Sequence, residues 1–379
     1  MDDLARRFRR LTDEYEPRKA AAEASVVRWR WYTDATFDLR PFWYERHRWP
    51  RGRQLTRRPS LVKNHARCGF DAAGRPVAVR EFSGFLSGAC VYETFRTYQP
   101  DLVEECRFSA DGKAIYLHRY ELDDGRLRRW SGVAQHGSGR EEYHYLGDRV
   151  VGVDVAHREQ PAGARAEQLL PYQTIAVTYD PTGGLEQLET TWLTSATPHV
   201  EITYRRPPED FSITNLCDVI TDRLVRLVPE VVASTRLSDP AYCLALTYDG
   251  TNYLPTLAVG LAAERQEWLE RYGDDAPDYL WNPAEFEYYA TEDLDDPQLD
   301  RDMRLLEQEL GLSGRWALGR DMLVESARHL NRRDWSGVLP TTDDFVVYPV
   351  DVELADLQRN LQRCAPPGLI RAFRARGWL

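Results

Sequence analysis

Lysine is almost missing from this chain: of 49 basic residues only Lys19, Lys63 and Lys113 are lysines, and the rest are arginines. Nothing in the physics of solvated cations demands guanidinium at so many scattered positions, so the bias reads as that of a GC-rich bacterial coding sequence. No apolar run of about 18 residues occurs, so no segment reads as a helix spanning a bilayer. The N-terminal stretch opens Asp2-Asp3 and continues with Arg6, Arg7, Arg9 and Arg10, with no apolar segment behind, unlike a secretory leader. A cytoplasmic protein is therefore expected. Cysteine is sparse, and Cys68, Cys90, Cys106, Cys217, Cys243 and Cys364 show no C-x-x-C spacing and no zinc-like histidine neighbour. They read as buried, reduced thiols, not as a disulfide framework. Missing too are G-x-x-x-x-G-K-[ST], G-x-G-x-x-G, H-E-x-x-H and G-x-S-x-G. His157-Arg158-Glu159 has the H-x-E spacing of a zinc deaminase, but no P-C-x-x-C follows it. His118, His144 and His157 would need to converge on one sheet face to hold a metal. No metal and no organic cofactor is expected, and the sequence leans away from catalysis.

What the chain does have is a division near Pro207 between halves of different grammar and opposite charge. Residues 1–208 hold 32 Arg+Lys against 29 Asp+Glu, a net +3, and residues 209–379 hold 17 against 31, a net −14. Two domains suit a length of 379 residues, and each half can bury its own core.

The first half, 1–208, predicts a helical N-terminus over residues 2–24, broken or restarted near Pro17. Val27, Trp29 and Trp31 then alternate with Arg28 and Arg30, the period of a half-buried strand. From Cys68 onward a unit recurs: an aromatic, often an acidic residue, a polar turn, a glycine and a strand. Its copies are Phe70–Arg75, Phe108–Lys113, Tyr120–Leu127, Tyr145–Arg149 and Tyr179–Leu185. Glycine supplies positive φ, Asp caps the turn, and the alternating flanks supply paired strands. The pattern resembles the YD repeat of bacterial Rhs and teneurin-type proteins, whose units are β-hairpins of a curled sheet. That resemblance implies an extended antiparallel meander.

The second half, 209–379, mixes helices with a few strands. Ser212 caps a helix carrying Ile213, Leu216, Ile220, Leu224 and Leu227 that should end at Pro229. Tyr242–Tyr248 and Tyr253–Leu257 form a hairpin across Asp249-Gly250. Helices are expected over 264–272, from Asp296-Pro297 to a Gly311 cap, and over 316–331, 353–363 and 367–376. Phe345–Val350 is a strand whose Pro349 places it at an edge, and Asp351 should cap the helix after it. The fold class is α+β: an antiparallel sheet of hairpin repeats, then a mixed α+β domain. The Tyr242–Leu257 stretch, the Phe345–Glu353 junction and the closing helices resemble an uncharacterised bacterial family associated with polymorphic-toxin immunity proteins. The resemblance implies an antitoxin that neutralises a basic toxin domain.

Two segments invite partners. Glu292, Asp293, Asp295 and Asp296 follow Trp281, Tyr288 and Tyr289, and carboxylates beside aromatic anchors suit a basic protein partner. Residues 40–58 interleave Trp43 and Trp49 with Arg46, Arg48, Arg51 and Arg53, a mixture able to stack on bases and neutralise phosphates. This second segment carries the alternative of a nucleic-acid-associated protein. Against it stands packing of the aromatics under the sheet, with the arginines paired to the acidic half. A third reading, an enzyme of unrecognised type, requires a pocket of convergent His and carboxylate groups.

Overall fold

A computed structural model describes residues 2–34, 37–60, 62, 64–159, 169–194, 197–289 and 294–379. The chain forms two compact units, Met1–Arg206 and Pro207–Leu379.

Unit 1 begins with helices α1 (Asp2–Arg10) and α2 (Tyr15–Ser25), separated by a 3-10 turn at Leu11–Glu14. Pro17 thus sits in the first turn of α2, where its missing N–H is no loss. Thirteen strands follow: β1 (Arg28–Tyr32), β2 (Gln54–Leu55), β3 (His65–Phe70), β4 (Pro76–Ser83), β5 (Ala89–Tyr98), β6 (Leu102–Ser109) and β7 (Ala114–Asp123). The series continues with β8 (Arg126–Ala134), β9 (Gly137–Leu146), β10 (Arg149–Glu159), β11 (Leu170–Tyr179), β12 (Leu185–Trp192) and β13 (His199–Arg205). From β3 to β13 each strand pairs antiparallel with the next, and β1 closes the other end between β3 and β2. The meander follows from the turns. Gly74, Gly112, Gly125, Gly147 and Gly183 all take positive φ, between 59° and 89°. Asp71 and Asp180 accept from the Arg75 and Gly184 amides at 2.8 and 2.9 Å, the turn-capping role expected of them. The turn between β8 and β9 is tight, Gln135-His136, and β9 begins at Gly137.

Both faces of this sheet are covered. Leu4, Leu11 and Ala22 of the N-terminal helices bury Phe95, Cys106, Phe108 and Leu117. Leu39 and Phe42, from a strap that includes the short helix α3 (Trp43–His47), pack on the opposite face over Val103, Tyr120, Trp130 and Ile175.

Unit 2 opens with α4 (Ile213–Ser234), capped by the Ser212 hydroxyl. The hairpin β14 (Ala241–Asp249) and β15 (Asn252–Leu261) leads into α5 (Ala262–Tyr272) and α6 (Pro277–Leu280). Then come β16 (Tyr288–Tyr289), α7 (Pro297–Ser313), α8 (Ala317–Asn331), β17 (Thr341–Asp351), α9 (Leu357–Cys364) and α10 (Pro367–Ala375). The sheet order is β16-β15-β14-β17, and β14 and β17 run parallel. As Pro349 indicated, β17 is an edge; the Asn331 amide clamps both the N–H and C=O of Val347, at 2.7 and 2.8 Å, which hinders further pairing there.

Three helix boundaries differ from expectation. α4 runs through Pro229, because Val228 and Val232 continue its buried stripe. Burying two valines, about 1.5–3 kcal/mol each, offsets the roughly 3 kcal/mol a mid-helix proline costs. α7 continues past a buried Gly311 and ends at Gly314, whose φ of 67° makes it the left-handed terminator. Asp351 caps a turn at the Glu353 amide, 3.0 Å away, and α9 starts only at Leu357.

Candidate functional site

The residues expected to meet a basic partner fall into separate roles. Trp281 is 2 % exposed and lies in the unit 2 core, its indole N–H donating to the Trp378 carbonyl at 2.7 Å and its ring edge-on to Tyr348. It is a core residue and not a surface anchor. From sequence alone an exposed aromatic cannot be told from one turned inward by a short helix. Asp296 caps α7 through the Gln298 and Leu299 amides, both at 2.8 Å, and is bridged by Arg223 at 3.1 Å. Tyr288 is half-buried, whereas Tyr289 and Asp295 are exposed. Glu292 and Asp293 lie outside the described residues.

An acidic surface instead gathers just before this stretch. Residues 264–287 hold eight carboxylates and two arginines. Glu267, Glu270, Asp274, Asp275, Asp278, Glu285 and Glu287 are all exposed. The arc is compact. Glu264 accepts from the Leu261 amide at 2.8 Å and the Glu287 amide at 2.7 Å, joining the start of α5 to the approach to β16. Tyr272 of α5 and Tyr279 of α6 stack with centroids 4.0 Å apart and planes 2° from parallel. Arg265 is turned away onto Asp344 at 3.0 Å, leaving the arc's charge uncompensated by it. Alternating Gly-Asp-Asp and Pro-Asp steps hid this surface in the sequence, because they read only as helix ends.

The Arg/aromatic segment is largely used internally. Arg46 forks onto Glu141 of β9 at 2.9 and 3.1 Å, and Arg40 reaches the same carboxylate at 3.6 Å while also binding Asp38. Arg48 pairs with Glu201 of β13 at 3.6 Å. Trp43 stacks on His47, and Arg51 lies over Tyr44 and bridges Glu45 at 3.0 Å. Only Trp49, Arg51 and Arg53 remain exposed among the residues proposed for nucleic acid. These arginine partners all belong to the first half, on its strands and on the strap itself, which corrects the expected pairing with the acidic half.

The strap therefore sits on buried ion pairs. Beside it a cavity of about 190 Å³ is lined by Asp38, Arg40, Arg96, Glu105, Tyr116 and His118, among others. Glu105 accepts from Arg96 at 2.5 Å and Tyr116 at 2.9 Å, and His118 Nδ1 lies 3.4 Å away. Burial alone would raise the pKa of Glu105, but the Arg96 charge outweighs it and holds the carboxyl far below the usual range. The same balance holds Glu141 at about 2, against Arg46 and Arg40. Burial lowers His118, keeping it neutral. Glu105 and Glu141 are each engaged by a cation, so the arrangement buttresses the strap. His157 shares the face of His118, separated from it by the cross-strand glycines Gly132 and Gly139, whereas His144 points to the other face and meets Asp154 at 2.8 Å. The three histidines do not converge. Among the described residues, no three His, Cys, Asp or Glu side chains form a metal-binding group, and no helix is long and apolar enough to cross a membrane.

The sequence signal for the buttress was present in β6. Glu104 and Glu105 are consecutive in a strand that also carries Leu102, Val103, Cys106 and Phe108, so period two must send one to each face. Glu104 meets Arg7 and Arg18 of the helices at 2.8 and 2.9 Å, and Glu105 meets Arg96 on the strap side. No protein-family model matches the chain, and no curated protein matches it either.

Proposed function

We propose that this chain is a non-catalytic binding protein whose acidic second unit docks a basic protein, in the manner of an immunity protein neutralising a toxin domain. The observation that carries the reading is the exposed carboxylate arc from Glu267 to Glu287, set around the Tyr272–Tyr279 stack. Interfaces of this chemistry use aromatics for buried contact and charge for steering. The nucleic-acid alternative is weakened because Arg40 and Arg46 are spent on Asp38 and Glu141.

The test is co-expression with the product of the adjacent gene, scoring cell survival and co-elution on a sizing column. Protection together with a shared peak supports the proposal. Neither protection nor a complex would overturn it.

A further inference from the structure

On the face of unit 1 that carries α2, one row of the sheet holds an unbalanced pair of cations. Trp31, Arg67, Arg80 and Glu93 stand in direct register across β1, β3, β4 and β5. Two arginines facing each other on adjacent strands repel, and a folded sheet normally avoids that pairing. Arg80 is answered by Glu93 at 2.8 Å and by Glu23. Glu93 is also shared with Lys19 at 3.0 Å and Tyr15 at 2.5 Å. Arg67 has no carboxylate among the described residues. Its guanidinium lies over Trp29, 4.7 Å from the ring centroid, and 5.9 Å from that of Trp31, and its Nε is buried without a hydrogen-bond partner. Arg58 lies over the Trp31 ring, at 5.9 Å, and has no carboxylate partner among the described residues.

These groups line one cleft of about 520 Å³, within the size range of small-molecule sites. Among the described residues that line it, four cations (Lys19, Arg58, Arg67 and Arg80) face a single carboxylate, Glu93. Trp31 and Phe82 supply an aromatic wall, with ring centroids 5.2 Å apart. An arginine laid on an indole keeps its in-plane N–H groups free for an anion at the edge. Burial and then the neighbouring Arg80 and Arg58 charges lower the pKa of Arg67, as expected for a cation short of counter-charge.

We infer that this cleft binds a small phosphorylated molecule with a flat ring, the phosphate on Arg67 and Arg58 and the ring on Trp31 and Phe82. Bidentate guanidinium–phosphate contacts and ring stacking on tryptophan are the interactions such a wall offers. The site is independent of the acidic arc in unit 2 and does not rest on the toxin-binding proposal.

Calorimetry on the full chain with AMP, adenosine and inorganic phosphate tests it. AMP is expected to bind saturably and more tightly than either fragment. Arg67→Gln should weaken AMP by about tenfold or more, the effect of losing a charge-assisted contact. Arg30→Gln, on the strand of Trp31 but facing the other side of the sheet, should leave AMP binding unchanged. Because Arg67 faces Arg80, Arg67→Gln should also raise the melting temperature without ligand, and AMP should raise that of the wild type alone. No saturable AMP binding, or equal binding by Arg67→Gln, would overturn the site. Phosphate alone binding as tightly as AMP would overturn the ring contact. A lower melting temperature for Arg67→Gln would make Arg67 a packing residue and count against the proposal.

Discussion

Glu141 shows how single residues hold unit 1 together. Its carboxylate is 3 % exposed and shared by Arg46, Arg40 and the Tyr143 hydroxyl. Glu141→Gln leaves Arg46 under the strap without its counter-charge and Arg40 with Asp38 alone. Breaking a buried pair from one side costs about 3–5 kcal/mol, so the variant should lose that much in urea unfolding. A loss below about 1 kcal/mol, the value of a surface pair, would contradict the buttress. Acid should act on the same cluster. Glu141 titrates at about 2 when folded against 4.5 when free, so its contribution is complete above 4.5 and vanishes as pH falls toward 2. His118 is kept neutral by burial, so below its ordinary 6.5 the unfolded chain takes up the proton more readily and stability falls with falling pH. Melting temperature should therefore decline gently below pH 6.5 and steeply below 4.5. His118→Gln should flatten the upper limb only; an unchanged upper limb would remove His118 from the explanation.

At the scale of elements, two glycines separate turn geometry from packing. Asp124 and Gly125 have φ of 47° and 78°, the pair of positive values of a two-residue hairpin turn, and nothing crowds the Gly125 Cβ position. Gly125→Ala should cost about 1–2 kcal/mol from left-handed strain, and Gly125→Asn should recover most of it. Gly132 has ordinary strand backbone, but an added Cβ would stand 2.5 Å from the Trp130 ring and 2.9 Å from His118. Gly132→Ala should cost about 1–3 kcal/mol by overpacking, with Asn worse and a shift in tryptophan fluorescence. Chemical denaturation of the four variants checks both; rescue of Gly132 by Asn would refute the packing explanation.

The same contrast explains what was legible in the sequence. Turn glycines, strand alternation and Pro349 act locally, so the meander, the Asp249-Gly250 hairpin and the edge strand could be read directly. The path of α4 through Pro229 could not, because burial of Val228 and Val232 is decided by the rest of the core. Nor could the inward turn of Trp281, which depends on Tyr348 and Phe373 from distant segments. The strap arginines looked free for the same reason: Glu141 and Glu201 reach them only once the sheet has formed.

On the scale of the whole molecule, the two units carry opposite specialisations. In unit 1 the basic excess of the first 67 residues is largely matched by strand carboxylates, except in the Arg67 cleft. Unit 2 leaves its acidic excess on the surface. Trp281→Ala should therefore unfold unit 2, with a large-to-small loss of about 3–5 kcal/mol, and not act as a selective binding defect. A folded Trp281→Ala protein of unchanged stability would contradict its core position.

The proposed docking surface is tested most directly by association kinetics with the product of the adjacent gene across a salt series. Exposed charges are screened within about 10 Å at 0.1 M salt, so the on-rate of the wild type should fall as salt rises. Neutralising Glu267, Glu270, Asp274 and Asp275 together should slow association and flatten that salt dependence, with little change in the off-rate. An on-rate indifferent to salt, or a neutralised variant that associates as fast as the wild type, would show that the acidic arc is not where the partner lands.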